Sequence, residues 1–310
     1  MNVQVRGVHA ALFTPRRPDG ALNLEVLRSH AGFLLNSGMD GLVINGATGE
    51  YLHSREDDFP VLLDTVSSIA GSGRFMVGIG GTDVQRSIEN GRLAIEAGAK
   101  ALLLPAPHFF RYSQDDLIAY VQQIAHGVGG PILLYNLPQF TNNTYEPATV
   151  LNLVSANGPV IGIKDSSGSL ESLRVLTKRD PNGASRIVGN DQVLVQGRQE
   201  GVSDGVISGV AAAMPELIRY LTYTSLDDPN YPLAASLLNE LIEQLGPFPV
   251  PWGLKLIAER RGLGSMGFVI PFASARTAQV DTLTAWLEEW WPRATDILQL
   301  QPLEAAGQAV

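Results

Sequence analysis

The sequence predicts an α/β fold, a (β/α)8 TIM barrel with a C-terminal helical extension. Short apolar runs alternate with longer amphipathic ones. Eight such runs pass before the alternation stops. Several amphipathic stretches end in a glycine that leads straight into the next apolar run. Eight strands, each followed by a helix, give an all-parallel sheet, and right-handed crossovers favour closing it over leaving it as an open, doubly wound sheet.

The expected strands are His9–Thr14, Gly41–Asn45, Phe75–Ile79, Ala101–Leu104, Ile132–Asn136, Val160–Lys164, Arg186–Gly189 and Gly205–Ser208. Helical patterns between them include Leu24–Asn36, Asp83–Ala97, Gln114–His126, Ala148–Val154 and Leu170–Thr177. The segments 37–41 and 97–100 carry Gly38 and Gly98 where a left-handed cap is needed. Residues 1–224 are assigned to the barrel and its active site. Residues 225–300 are assigned to a helical extension (Asn230–Leu245, Trp252–Arg261, Ala275–Glu289), with prolines at 247, 249 and 251 separating its first two helices. Residues 301–310 look like a loose tail.

Of the 310 residues, 45% are hydrophobic and 17% charged, enough apolar material for one full core. A net charge of -9 and the lack of any Lys/Arg block argue against a nucleic-acid partner. No stretch is apolar for long enough to cross a bilayer, and the N-terminus lacks a signal-peptide run, so a cytoplasmic protein with no membrane partner is expected. There is no cysteine, and His9, His30, His53, His108 and His126 show no zinc-ligand spacing, so no metal is expected.

Only four lysines occur, against eighteen arginines. Lys100, Lys178 and Lys255 fall in ordinary surface or helical contexts. Lys164 ends the run Pro159-Val160-Ile161-Gly162-Ile163, in a strand expected to be buried on both faces. Strict alternation puts Ile161 and Ile163 on the helix side and Gly162 and Lys164 on the barrel side, with Gly162 leaving space beneath the lysine. Burial disfavours the ammonium form of a lysine and leaves more free amine to condense with a carbonyl. The plainer reading is a strand-end lysine that reaches solvent or pairs with Asp165.

What favours the chemical reading is the surroundings of Lys164. Tyr135 ends the preceding strand, where a phenol can shuttle protons; taken alone it is as readily an aromatic filling the barrel top. Gly46-Ala47-Thr48-Gly49-Glu50 follows the second strand, and its backbone N–H groups with the Thr48 hydroxyl suit a carboxylate.

Together these segments resemble the dihydrodipicolinate synthase and N-acetylneuraminate lyase family of pyruvate-dependent class I aldolases, from Gly7 to about Phe272. The matching motifs are Gly-x-Thr-Gly-Glu (46–50), Tyr-Asn-x-Pro (135–138), Gly-x-Lys-Asp-Ser-Ser-Gly (162–168) and Gly-Val-Ile-Ser-Gly (205–209). The resemblance implies a homotetramer built as a dimer of dimers, an imine between Lys164 and a pyruvate-type carbonyl, and Tyr135 as proton shuttle. It also implies that Thr48 and the Ala47 amide bind the carboxylate, that Ile207 lines the pocket, and that Ser166 contacts the distal substrate. No cofactor is implied; the partners are a 2-oxo acid, pyruvate or a 2-keto-3-deoxy acid, and an aldehyde.

The departures from the family narrow the substrate. Ala47 stands where its synthases carry a hydroxyl residue, so a relay from Tyr135 through that hydroxyl is absent or passes to Thr48 or water. Phe109 stands at their second relay tyrosine, which crosses a subunit interface. Phe140 stands at their arginine for the aldehyde's carboxylate, and a phenyl ring cannot replace a bidentate guanidinium. Dihydrodipicolinate synthesis is therefore disfavoured. Tyr-Asn-Leu-Pro-x-x-Thr looks more like the 2-keto-3-deoxygluconate aldolase branch, so reversible cleavage of a 2-keto-3-deoxy sugar acid is expected. A dehydratase or deaminase using the same imine and a non-catalytic binding barrel are the alternatives.

Other features carry less. Gly78-Ile79-Gly80-Gly81 lacks a third glycine where Asp83 stands, so it is read as a turn rather than a dinucleotide loop. His108, after the fourth strand, is a candidate for substrate contact or for an acid, with a surface or core histidine as the plain alternative. Trp252, Trp286, Trp290 and Trp291 fall at helical spacings and are read as packing.

Overall fold

The computed structural model describes residues 3–81, 83–154, 158–179 and 183–304. Its strands are β1 (Gly7–Ala11), β2 (Gly41–Ile44), β3 (Phe75–Gly78), β4 (Leu102–Pro105), β5 (Ile132–Asn136), β6 (Val160–Asp165), β7 (Ser185–Val188) and β8 (Gly205–Ser208). All neighbouring pairs are parallel, and β8 returns to β1 through Gly7↔Gly205 and His9↔Ile207. That closing pair makes the sheet a barrel and excludes the doubly wound alternative.

Nearly every strand residue is buried, as a parallel sheet covered on both faces requires. Val43, Met76, Leu103, Leu133, Ile187 and Ile207 fill the inside. Val8, Leu42, Val77, Leu104, Leu134, Ile163 and Val206 face the helices. The two sets alternate along the chain, which is the period-two pattern that made the strands legible.

The helices are α1 (Leu24–Asn36), α2 (Asp58–Ala70), α3 (Val84–Glu96), α4 (Gln114–Val128), α5 (Pro138–Thr141), α6 (Pro147–Leu153), α7 (Glu171–Arg179), α8 (Leu194–Gln199) and α9 (Pro215–Tyr223), followed by α10 (Tyr231–Leu245), α11 (Trp252–Arg260) and α12 (Thr277–Leu298). Side chains cap the starts of α1, α3 and α4: Asn23 accepts the Val26 N–H at 3.4 Å, Asp83 accepts the Arg86 N–H at 3.0 Å, and Ser113 with Asp116 forms a capping box. Gly38 and Gly98 hold φ of 82° and 89°, the left-handed turns expected after α1 and α3.

Several expectations change. Strand β1 begins at Gly7, two residues before the expected start, and ends at Ala11. The final helix runs to Leu298 with Pro292 inside it, well past Glu289. Its length is held by packing: Leu287, Trp290, Trp291 and Ala294 are buried, and the Trp290 indole donates to the Leu237 carbonyl at 3.3 Å. Residues 301–304 are docked rather than loose, since the Glu304 N–H donates to the Arg260 carbonyl at 3.0 Å. Residues 305–310 lie outside the described residues.

The largest correction concerns β6. A bulge sets Val160 against Ile132 and Gly162 against Leu133, so Ile161 is the extra residue. Ile161 therefore turns into the barrel while Ile163 faces the helices; the two do not share a side. Gly162 takes φ of 149°, and a Cβ there would lie 2.0 Å from the Ser185 carbonyl oxygen. Its missing Cβ permits the close approach of β7, and a side chain there would meet Ser185 rather than Lys164.

Candidate active site

The C-terminal ends of barrel strands form the mouth, where loops gather side chains from several strands. Tyr135 and Lys164 are paired neighbours at the ends of β5 and β6. Lys164 is 4% exposed, and its Nζ lies 4.1 Å from the centre of the Tyr135 ring. The room for its side chain comes from Gly189, just past β7, where a Cβ would fall 2.8 Å from both Cγ and Cε of Lys164. Sequence reasoning missed Gly189; its position at a strand end beside a buried lysine was the available signal.

Lys164 is not held by Asp165. That carboxylate turns away and accepts from the Ser167 N–H at 2.9 Å, the Ser167 hydroxyl at 2.6 Å and Asn136 Nδ2 at 3.3 Å. The amine instead lies over the Tyr135 ring, close enough for its charge to act on Asp191.

The turn after β2 is pinned from several sides. Asn45 donates from Nδ2 to the Gly78 carbonyl at 2.7 Å, the Glu50 N–H donates to the Ala47 carbonyl at 2.9 Å, and Tyr51 N–H to the Gly46 carbonyl at 3.3 Å. Asn45 and Glu50 both take left-handed φ, 54° and 52°. Thr48 is buried, and its hydroxyl lies 3.3 Å from where a Cβ on Gly209 would stand, which brings the ends of β2 and β8 together.

Glu50 is held by Lys255 of α11. This lysine is wholly buried, pairs with the Glu50 carboxylate and donates to the Gly267 carbonyl at 2.6 Å. Its burial pushes its pKa down, opposed by the Glu50 charge and hydrogen bond. Read from sequence as an ordinary helical lysine, it instead ties the C-terminal extension to the turn. Nothing in the helical pattern distinguishes such a residue.

Across the mouth, Ser166 is buried, and its Oγ has no protein partner. Asp191, which sequence reasoning missed, accepts the Val210 N–H at 3.1 Å through one oxygen and leaves Oδ1 unpartnered. Burial pushes its pKa up, against the Ser208 hydroxyl, the Val210 N–H and the Lys164 charge. Ile207 is fully buried among the interior side chains.

The remaining candidates lie on the rim. Phe140, 51% exposed, lines a cavity of about 480 Å³ with Ala47, Leu137, Trp252 and Ile270. Phe109, 79% exposed with φ of 76°, turns to solvent and packs edge-on against Phe110, so within one chain it stays outside the mouth. His108 is joined to the Tyr51 hydroxyl through Nε2. Among the described residues no group of three or more His, Asp or Glu is placed to hold a metal ion, and no helix is long and apolar enough to cross a membrane.

Fold and site together define a (β/α)8 enzyme of the aldolase and lyase class. A model of the "Dihydrodipicolinate synthetase family" matches residues 4–290, and the chain belongs to that family. It is 31% identical to a 4-hydroxy-tetrahydrodipicolinate synthase of Staphylococcus carnosus over 278 residues, covering 88% of this chain and 92% of that one. The fold matches YagE of E. coli K12, solved with pyruvate, with a TM-score of 0.83 at 23% identity over 92% of this chain and 98% of that one. It also matches a Sulfolobus 2-keto-3-deoxygluconate aldolase complexed with D-KDPG, with a TM-score of 0.84 at 19% identity over 96% and 100%.

Proposed function

We propose that the protein is a class I aldolase that holds a 2-oxo acid as an imine on Lys164 and cleaves or forms a C–C bond between pyruvate and an aldehyde. The observation that carries this is the buried Lys164 amine over the Tyr135 ring, in a mouth where Asp165 is engaged elsewhere. Lys164 Nζ attacks C2 of the substrate, and water leaves as the iminium forms. Tyr135 takes the C4 hydroxyl proton while the C3–C4 electrons move into the iminium. An aldehyde departs, leaving an enamine; protonation at C3 and hydrolysis release pyruvate. Thr48 and the Ala47 amide hold the carboxylate, and Ile207 backs the imine.

For the aldehyde half, a 2-keto-3-deoxy sugar acid is the reading the site supports best. Ser166 Oγ and Asp191 Oδ1 are buried polar atoms without protein partners, and sugar hydroxyls would satisfy both. The S. carnosus relative favours 4-hydroxy-tetrahydrodipicolinate synthase activity as a second reading. Against it stand Phe140 and Phe109, which supply neither a guanidinium nor a phenol. The exposed run Phe109, Phe110 and Tyr112 fits burial between subunits of a homotetramer, and a cytoplasmic location fits the lack of cysteine.

Borohydride reduction in saturating pyruvate tests the imine: an adduct of reduced pyruvate on Lys164 by peptide mass spectrometry is expected, and none would overturn the proposal. Pyruvate release from 2-keto-3-deoxygluconate then tests the substrate. Turnover only of pyruvate with aspartate semialdehyde would favour the second reading.

A further inference from the structure

The proposed chemistry asks Tyr135, itself only 4% exposed, to give up and recover protons. The hydroxyl and phenol that the resemblance leads one to expect for this are missing, replaced by Ala47 and by an outward-facing Phe109. Another phenol occupies this part of the site. Tyr51 follows directly on the Gly46–Glu50 turn, and its hydroxyl is hydrogen-bonded to Nε2 of His108, with ring centres 5.7 Å apart and planes at 61°.

Both ends of this pair are anchored. The Tyr51 N–H donates to Gly46, inside the turn that carries Thr48. His108 sits in the loop after β4, whose Pro105 is the register partner of Tyr135. Asn143 Nδ2 fixes that loop through the carbonyls of Pro107 at 2.8 Å and Phe110 at 2.6 Å. The other nitrogen of His108 and the nearby Tyr120 hydroxyl are buried without protein partners, leaving hydrogen-bonding capacity beyond the Tyr51 contact.

The protonation states suit transfer. Burial, then the neighbouring Tyr135 and Tyr120 phenols, push the pKa of Tyr51 up, so Tyr51 stays a neutral donor. Burial pulls His108 down, so its imidazole is neutral and able to accept.

Resting on the function proposed above, we infer that Tyr51 and His108 form an intrachain proton relay that serves Tyr135. In enamine formation the C3–H bond of the pyruvate iminium breaks, and its electron pair becomes the C2=C3 bond as the iminium is neutralised. The proton goes to the Tyr135 oxygen, whose own proton passes, directly or through one water, to the Tyr51 oxygen. The proton of Tyr51 passes to His108 Nε2, and the resulting imidazolium returns it to solvent. The reverse sequence delivers a solvent proton to C3. Neither relay residue touches the substrate; both act through Tyr135.

Exchange of the pyruvate methyl protons in D2O, followed by NMR, reads this path without any aldehyde. Tyr51→Phe and His108→Gln are each compared with the parent protein, with the pyruvate concentration for half-maximal borohydride trapping and the thermal midpoint measured alongside. The relay predicts at least about a twentyfold slower exchange in each variant. It predicts no further loss in the double variant and half-trapping concentrations within about twofold of the parent. Exchange within about threefold of the parent in either folded variant would overturn the relay. So would equal losses of exchange and trapping, the mark of a merely structural tie between the two loops. Should one variant not fold, the other carries the test alone. A parent protein that neither traps nor exchanges pyruvate would instead overturn the proposed function, and the relay with it.

Discussion

The two ends of the barrel treat buried polar groups differently. At the floor they answer one another. Arg186 forks onto Asp204 with bonds of 2.9 and 2.8 Å, the Val8 N–H donates to Asp40 at 2.7 Å, and the Val5 N–H donates to Ser185 Oγ at 2.9 Å. His9 fills the bottom of the interior and donates from Nε2 to the Arg6 carbonyl, though its Nδ1 has no partner. At the mouth, Ser166 Oγ, Asp191 Oδ1 and His108 Nδ1 are all buried without protein partners. An unmet buried polar atom costs about 1–3 kcal/mol. The floor answers most of its buried polar groups within the chain, whereas under the proposed function a substrate would satisfy Ser166 Oγ and Asp191 Oδ1 at the mouth.

If that contrast is right, mutations at the two ends should separate activity from stability. Lys164→Ala is the most severe test at the mouth: imine trapping and turnover should fall by at least about 10³-fold with the thermal midpoint little changed. Retained turnover would remove the mouth's chemical role altogether. Tyr135→Phe keeps the ring beneath the amine and removes only the hydroxyl. It should slow turnover by about 10²-fold or more while pyruvate still forms a trappable imine.

The floor should respond the other way. Asp204→Ala leaves Arg186 without its main anion in a mostly buried position. A loss of about 3–5 kcal/mol in chemical denaturation is expected, with activity per folded molecule unchanged. A smaller effect sharpens the comparison through pH. Burial lowers the pKa of His9 and of His30 from 6.5 to about 4. The unfolded chain therefore binds these protons first as pH falls. Stability from these two groups is intact above about pH 6.5 and lost towards pH 4, by up to about 3 kcal/mol for each histidine. His30→Gln should flatten the fall of thermal midpoint between pH 7 and 4, and an unchanged slope would show that carboxylates dominate it.

Much of this was legible beforehand. Strand runs such as Leu102–Leu104 and Ile132–Leu134 announce themselves because both faces of a parallel sheet are apolar. Tyr135 and Lys164 could be placed side by side because strand ends in a barrel are neighbours by construction. The β6 bulge was not legible, since Ile161-Gly162-Ile163 fits strict alternation equally well and only pairing with β5 shows the extra residue. Nor were Asp191, the Tyr51–His108 contact or the Lys255–Glu50 pair, whose partners lie far apart in the chain or depend on loop conformation.

By itself, then, the sequence determined the alternation of elements, the closed count of eight and the lysine that stands out among apolar neighbours, because hydrophobic periodicity and local turn chemistry act over a few residues. Tertiary structure decided which way that lysine points, what makes room for it and which distant groups answer it. Those depend on strand register and on side chains meeting across loops, and no local pattern encodes either.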